Sequence, residues 1–308
     1  MKTDIGTTLS TAERSASSRT ASTHGDSAPA RPRRRFAAWR GLPPSLQAGL
    51  VLLLLLVLVA LFADRLYPGD PFEMVGAAFT PPGADAQFPL GTDLMGRDIA
   101  AGLAHGTRVS LTVGLSATLI ATVIGSAIGL LAGYFGGWVD HALMRLTELF
   151  QVIPHFLFAI ILVSIMGSTL EHIVLAIGLT SWTMVARLVR AETLSLRERD
   201  YVRICEVMGG SPLRVVLTHI LPNALPPVIV AASILTALAV LTEAGLAFLG
   251  MSDSNRTSWG GMIGASRDAL LDAPYMTLIP GAAIVLAVAA LSLIGDGLAQ
   301  RLRRGAAS

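Results

Sequence analysis

Apolar residues in this chain are concentrated in six segments of membrane-spanning length, separated by polar stretches rich in Gly, Pro and charged residues. The segments lie at about residues 46–63, 109–135, 141–166, 172–189, 224–249 and 275–294. About 20 apolar residues in a row can cross a bilayer as a helix. The pattern therefore predicts an all-α membrane protein with six transmembrane helices, which places both termini on the same side.

The first three segments differ in the packing they predict. The first is almost entirely Leu and Val, which predicts a lipid-exposed helix at the edge of the bundle. The second carries Gly125, Gly129 and Gly133 on one face, so we expect another helix to approach it closely. The third contains the carboxylate Glu148 and also Pro154, which removes one backbone hydrogen bond and bends the helix. Such a bend lines a pathway in some transporters and is a plain packing kink in other proteins.

Two carboxylates within the spans are candidate functional residues, because charged groups in a bilayer are costly. Glu148 follows Arg145 by three residues, a spacing that favours a local ion pair. Glu243 lies in the fifth segment, where a structural role at a subunit interface is favoured over a proton relay.

The polar stretch between the fourth and fifth segments contains the pattern of a short amphipathic helix. Its apolar face is formed by four residues spaced at i, i+3, i+4 and i+7: Tyr201, Ile204, Cys205 and Met208. Its polar side is formed by Asp200, Arg203 and Glu206. This face predicts either a solvated connector or a helix that docks into a groove of a soluble partner.

Glycine and proline punctuate the chain after this helix. Gly209-Gly210 predict a helix stop, because glycine adopts the left-handed conformation found just past a C-terminus. Ser211 and Pro212 then predict a restart, with an N-cap oxygen followed by proline in the first turn. The second short helix is expected to end at Leu221-Pro222.

Residues 64–105, rich in Pro, Gly and Asp, are predicted to form a polar connection. Thr92 or Asp93 could cap a helix that ends at Ala104. We also expect Asp93, Arg97 and Asp98 to form ion pairs with one another.

Composition and charge agree with a membrane protein. The chain is 53% hydrophobic and only 14% charged, where an average soluble protein is about 25% charged. Residues 1–40 hold few large apolar side chains and are expected to be disordered, with arginines that orient the first span and contact lipid rather than nucleic acid. Arginines near the span ends place both termini and the 190–223 loop in the cytoplasm. The single cysteine forms no intrachain disulfide.

Motifs for catalysis are missing from the sequence. The glycine-containing string GSAIGL at 125–130 lacks the Lys-Ser/Thr ending of a phosphate-binding loop and lies inside a span. The six histidines are scattered, and no Ser/His/Asp arrangement has a supporting motif. We therefore expect neither an enzyme nor a cofactor or metal site, and ATP hydrolysis would have to occur in another chain.

Five strings resemble the permease subunits of binding-protein-dependent ABC importers, in the C-type subunits of the dipeptide, oligopeptide and nickel branch. They are GTDLMGRD at 91–98, GYFGGWVDHALMR at 133–145, LSLRERDYV at 194–202, HILPNALPP at 219–227 and EAGLAFLG at 243–250. That family's loop carries Glu-Ala-Ala, three residues, Gly and a later Leu-Pro. Gly209 and Leu221-Pro222 match, whereas Arg203, Ile204 and Cys205 replace Glu-Ala-Ala.

The resemblance implies a type I ABC importer permease fold of the bacterial inner membrane, with a cytoplasmic coupling helix. Its expected units are a tail at 1–40, a helix and extracytoplasmic segment at 41–105, five core helices at 106–300 and a tail at 301–308. The implied partners are a second permease, two ATPases that bind ATP and Mg²⁺, an extracytoplasmic binding protein and the lipid bilayer. The implied substrates are peptides, nickel complexes or other small solutes. A proton-coupled secondary transporter is one alternative, but such proteins usually show internal repeats and the sequence has no convincing one. A membrane scaffold is another, and it leaves the amphipathic loop unexplained.

Overall fold

The computed structural model describes residues 42–306, and within this range the chain is helical. The tail expected at 1–40 lies outside the described residues. In chain order the α-helices are α1 (Pro44–Leu66), α2 (Ile99–Phe135), α3 (Gly137–Val152), α4 (His155–Met166), α5 (Leu170–Arg197), α6 (Asp200–Val207), α7 (Pro212–Val215), α8 (Leu221–Phe248), α9 (Trp259–Ser266) and α10 (Tyr275–Ala306). Two isolated β-bridges, in the 67–98 segment, are the only strand pairing among the described residues. The all-α prediction is confirmed.

Five of the described helices are long and apolar enough to cross a membrane: α1, α2, α5, α10 and the continuous run Pro212–Phe248 that contains α7 and α8. The bent pair α3 and α4, whose axes meet at 83°, makes a sixth crossing if the two helices together form one span, as the sequence predicts. The break is sharper than a kink because Ile153, the residue before Pro154, adopts an extended conformation with ψ 125°.

The helix that precedes α8 does not end at Leu221-Pro222, so that boundary prediction was wrong. A π-helical turn over Val216–Ile220 joins α7 to α8, and the Leu221 N–H donates to the Val216 carbonyl five residues back. Pro222 has no N–H to donate, and the wide turn accommodates its ring without ending the helix. Pro212 occupies the first turn as predicted, but the Ser211 side chain makes no capping bond.

The start of α2 also differs from the prediction. Asp98, not Thr92 or Asp93, is the N-cap, and its carboxylate accepts a 2.8 Å hydrogen bond from the Ala100 N–H. The helix continues through Ala104 without a stop to Phe135. Gly106 does not stop the helix but lies inside it. Glycine is needed there for a close contact, because a Cβ would lie 3.2 Å from the Trp259 side chain.

The expected ion pairs among Asp93, Arg97 and Asp98 do not form. Asp93 accepts backbone N–H bonds of 2.8 Å from both Met95 and Arg97, which closes a turn. The Arg97 guanidinium lies over the Phe72 ring at 5.0 Å. Short polar side chains in turns commonly form hydrogen bonds with the nearby backbone. In Asp93 these bonds take the place of the expected ion pair with Arg97.

The bundle core lies where α2 packs against α4, α5 and α8. Val113, Ala117, Val163, Ile177 and Leu246 are all buried in one apolar cluster there. α1 lies at the edge as predicted, with a row of exposed apolar residues on its outer side: Val51, Leu54, Leu55, Leu58, Leu61 and Phe62. Its inner side has a close contact at Gly49, where a Cβ would lie 2.7 Å from the Ala290 carbonyl of α10.

The two ends of the bundle carry different connections. At one end, Leu46 of α1 contacts Gly297 near the end of α10, so the two chain ends of the described range lie side by side. The opposite end holds the 67–98 segment and the 249–274 connection. They are joined where the Tyr275 hydroxyl donates to the Thr80 carbonyl at 3.1 Å.

Candidate functional site

The loop between α5 and α8 forms a short helix, α6, as the sequence predicts. α6 covers Asp200–Val207, and Val202 is its anchor, with 0% exposure. Val202 packs into a cluster with Tyr134 of α2 and with Val215 and Ile220, which lead into α8. One buried side chain thus ties α6 to two membrane-spanning helices.

The end of α6 is a Schellman motif. The Gly209 N–H donates to the Glu206 carbonyl, and the Gly210 N–H donates to the Cys205 carbonyl, both at 3.0 Å. Gly209 has φ +84°, a left-handed conformation that glycine adopts without steric cost. The glycine pair therefore ends the helix, as the sequence predicts, and orients α6 relative to α7.

Four apolar side chains of α6 face away from the bundle, and we call them the α6 surface: Tyr201, Ile204, Val207 and Met208. Val207 and Met208 are the most exposed, at 88% and 82%. Leu213 of α7 extends the apolar area with 69% exposure. Apolar side chains clustered outside the membrane helices mark an interaction surface.

The α6 surface differs at one position from the face predicted by helical spacing. Cys205 is half-buried, and its Sγ lies 3.6 Å from Nε2 of His219 in the π turn. The Tyr201 ring also contacts His219 edge-on, at 6.5 Å between centroids. Because the chain folds back at Gly209-Gly210, the π turn covers Cys205, and Val207 takes its place on the exposed side.

Two charged residues of α6, Asp200 and Arg203, are available to a partner. Asp200 and Arg203 are exposed and make no ion pair with any described residue. Glu206 is half-buried. The α6 surface is therefore apolar, with one unpaired charge of each sign beside it.

The three glycines of α2 lie along α5, the helix that precedes α6. A Cβ on Gly125 would lie 2.5 Å from the Trp182 carbonyl, and one on Gly129 would lie 2.5 Å from the Ala186 carbonyl. At Gly133 a Cβ would lie 2.6 Å from Cβ of Thr193. The two helices are therefore in backbone contact over two helical turns, and α5 leads straight into α6.

A polar groove of about 1010 Å³ lies between α3 and α5. Arg190 of α5 donates to Asp140 of α3 with an Nη2–Oδ2 distance of 2.6 Å, which joins the two helices. Arg145 pairs with Glu148 at 3.1 Å, as the spacing predicts, and both side chains are exposed. Glu148 thus lies in this groove and not among the packed helices.

A second cavity, of about 700 Å³, opens between the α3–α4 break and helices α5, α8 and α10. Gln151 and His155 flank the break at Pro154 and line this cavity, together with Arg187 of α5 and Arg303 of α10. Sequence reasoning identified Pro154 but missed these four polar residues. In the sequence these residues are recognisable only as polar side chains near a proline or near the end of a span. The fold brings the four together.

Glu243 lies inside the chain and not on a surface that could meet another subunit, contrary to expectation. It is 3% exposed, and its Oε1 accepts a 2.6 Å hydrogen bond from the Ser258 hydroxyl. A Cβ on Gly260 would lie 3.1 Å from Oε2, so α9 packs directly on this carboxylate. Glu243 joins α8 to the start of α9.

Comparison with known proteins agrees with this architecture. Residues 125–307 match the family described as "Binding-protein-dependent transport system inner membrane component". This match covers more than half of the chain. The protein belongs to this family.

Curated relatives match over most of their length. The permease is 35% identical to the dipeptide transport system permease protein DppC of Alkalihalophilus pseudofirmus, over 82% of this chain and 84% of the relative. It is 38% identical to the di/tripeptide permease protein DppC of Pseudomonas aeruginosa, over 82% and 86%. It is 36% identical to the oligopeptide permease protein OppC of Escherichia coli K12, over 88% and 89%.

Family membership makes this chain a multi-pass membrane subunit of an ABC import system. Its fold is that of a type I importer permease, with the α6 loop between α5 and α8. The alternative of a proton-coupled secondary transporter finds no support among these relatives.

Proposed function

We propose that this permease imports peptides together with a second permease, two ATPase chains and an extracytoplasmic binding protein. The peptide class rests on the names of the relatives, which are dipeptide, di/tripeptide and oligopeptide systems. Nickel complexes, which the sequence resemblance also allows, have no counterpart among these three. ATP and Mg²⁺ would bind to the ATPase chains, which supply the hydrolysis that this chain lacks motifs for.

The α6 surface carries the proposal, because it is apolar, exposed and rigidly connected. A groove in an ATPase that covers Ile204, Val207 and Met208 would remove apolar area from water and stabilise the contact. Val202 and the π turn hold α6 against α5 and α8. Movement of the ATPases would therefore displace both spanning helices together and drive alternating access.

In the proposed orientation, α6 and the adjacent ends of α1 and α10 face the cytoplasm. The 67–98 segment and the 249–274 connection then face outward, where a binding protein delivers substrate. Arginines support this assignment: Arg197, Arg199, Arg203 and Arg214 surround α6 in sequence.

The test is the substitution Ile204→Asp in the complete importer. Ile204 is 57% exposed and is not part of a membrane helix, so insertion and pairing with the second permease should be retained. A carboxylate placed against an apolar groove costs several kcal/mol, about 2–5 in typical buried contacts. We expect the purified complex to lose ATPase chains or to hydrolyse ATP without transporting peptide.

A matched control is Leu271→Asp, which adds the same charge at a 96% exposed position of the opposite connection. This variant should retain its ATPase chains. If Ile204→Asp keeps wild-type ATPase content and peptide transport in reconstituted vesicles, α6 is not the coupling element.

A further inference from the structure

The cavity below the α3–α4 break is lined by two arginines, Arg187 and Arg303, and none of its described lining residues is Asp or Glu. Arg187 and Gln151 also line the adjoining α3–α5 groove, which holds Asp140 and Glu148. The other walls are mainly apolar, with Met184, Val230 and Ile234 among them. A cavity of about 700 Å³ with apolar walls and a few polar groups has the size and character of a small-ligand site.

The polar groups around the break indicate that this cavity holds water and not lipid tails. Ile153 and Pro154 interrupt the helix between Gln151 and His155, which leaves backbone groups without helical partners. Non-helical backbone at membrane depth is found where it is buried in protein or lines an aqueous cavity. Charged side chains within membrane segments likewise face water-filled paths. Two independent features therefore favour an aqueous path at this point.

Arg187 is held in place and still has free donors. One guanidinium N–H donates to the Gln151 Oε1 at 3.1 Å, and this is its only hydrogen bond among the described residues. The side chain is otherwise exposed, lines both the cavity and the α3–α5 groove, and forms no ion pair with any residue that the structure describes. The planar guanidinium offers five N–H donors in a fork that fits a carboxylate in a bidentate manner.

A second arginine favours an anion over a cation at this site. Arg303 adds a second positive charge from α10 on the other side of the cavity. A ligand that combines a carboxylate with apolar substituents would match both the charge and the walls.

We propose that Arg187 binds the C-terminal carboxylate of the peptide during its passage through the permease. Gln151 orients the guanidinium, and Arg303 adds long-range attraction. This inference rests on the proposed function, because it takes the peptide as substrate. It makes Arg187 a specificity-determining residue of this chain, independent of the selectivity of the binding protein.

The experiment compares a peptide with its amidated twin in the complete importer. Vesicles containing the importer receive Ala-Phe or Ala-Phe-amide with the binding protein saturated by each, so that delivery is equal. We expect wild type to transport the free acid about tenfold faster, the effect of one charge-assisted hydrogen bond in a hydrated site. Arg187→Gln should slow the acid to the rate of the amide, and Arg187→Lys should retain part of the preference.

The control variant is Arg145→Gln, which removes an exposed arginine from the neighbouring groove and should keep the wild-type preference. If the binding protein does not bind the amidated peptide, the test uses transport of the free acid alone. That transport rate should fall about tenfold in Arg187→Gln and recover in Arg187→Lys. An unchanged preference in Arg187→Gln overturns the inference. So does an equal loss for both peptides, or a loss seen only in vesicles with anionic lipid, which would assign Arg187 to a lipid headgroup. Failure of wild type to transport either peptide would instead refute the proposed function.

Discussion

Two opposing effects act on the pKa of the Asp98 carboxyl group. Its carboxylate caps α2 through the Ala100 N–H, a bond that stabilises the ionised form. Partial burial among the 67–98 segment and the 252–262 region acts the other way and prevails, so the pKa of Asp98 is raised above its usual range. The folded protein therefore binds a proton at Asp98 more readily than the unfolded chain does.

This raised pKa gives a pH-dependent prediction for Asp98→Asn. A raised pKa contributes stability below the unfolded pKa, and this stability is lost as pH rises through the folded pKa. Asparagine keeps the cap without the charge, so the melting temperature in detergent at pH 7 should equal or exceed that of wild type. The difference should shrink as pH falls through the raised pKa of Asp98, because the wild-type carboxyl then becomes protonated.

The control at this position is Asp98→Ala, which removes the cap and should destabilise α2 by about 1 kcal/mol. A melting temperature of Asp98→Asn clearly below wild type at pH 7 would show that the ionised carboxylate is net stabilising.

At the scale of helices, the α2–α5 contact depends on side-chain size at the glycines. A Cβ at Gly129 would meet the Ala186 carbonyl and the Val189 Cβ at 2.5 and 2.8 Å, both fixed parts of α5. A single methyl group would force the helices apart over this stretch. α5 would then no longer hold α6 in its present position.

We predict that Gly129→Ala destabilises the protein by about 1–3 kcal/mol, the usual cost of overpacking. Gly281 in α10 is the matched control, because a Cβ there meets nothing within 4 Å. Gly281→Ala should be neutral or slightly stabilising, since alanine favours the helix. Thermal unfolding of both variants in detergent measures the difference, and equal melting temperatures would contradict a packing role for Gly129.

At the scale of the whole molecule, we predict the topology from six crossings and the arginine distribution. We predict that Asp85 and Asn255 face outward and that Met208 faces the cytoplasm. All three are exposed in this chain, so single cysteines in a Cys205→Ser background should react with an impermeant thiol reagent from one side only, in permease prepared without the ATPases that are proposed to cover Met208. Labelling of positions 85 and 208 from the same side would refute the six-span topology.

The sequence by itself determined the helical class, the apolar spans, α6 and its glycine stop. These features depend on local patterns: apolar runs of membrane length, helical spacing over 200–208 and the backbone freedom of glycine. The break at Pro154 was also readable, because proline removes a backbone donor wherever it stands.

Tertiary structure alone decided which side chains meet. Spacing predicted Cys205 on the exposed face, but the π turn covers it beside His219, and Val207 is exposed instead. Asp98 caps α2, whereas Thr92 takes part in a β-bridge and Asp93 closes a turn with its own side chain. Arg187, Gln151 and Arg303 come together only because three distant segments pack around one cavity. A local pattern specifies an element, whereas contacts between distant segments depend on how all the elements pack.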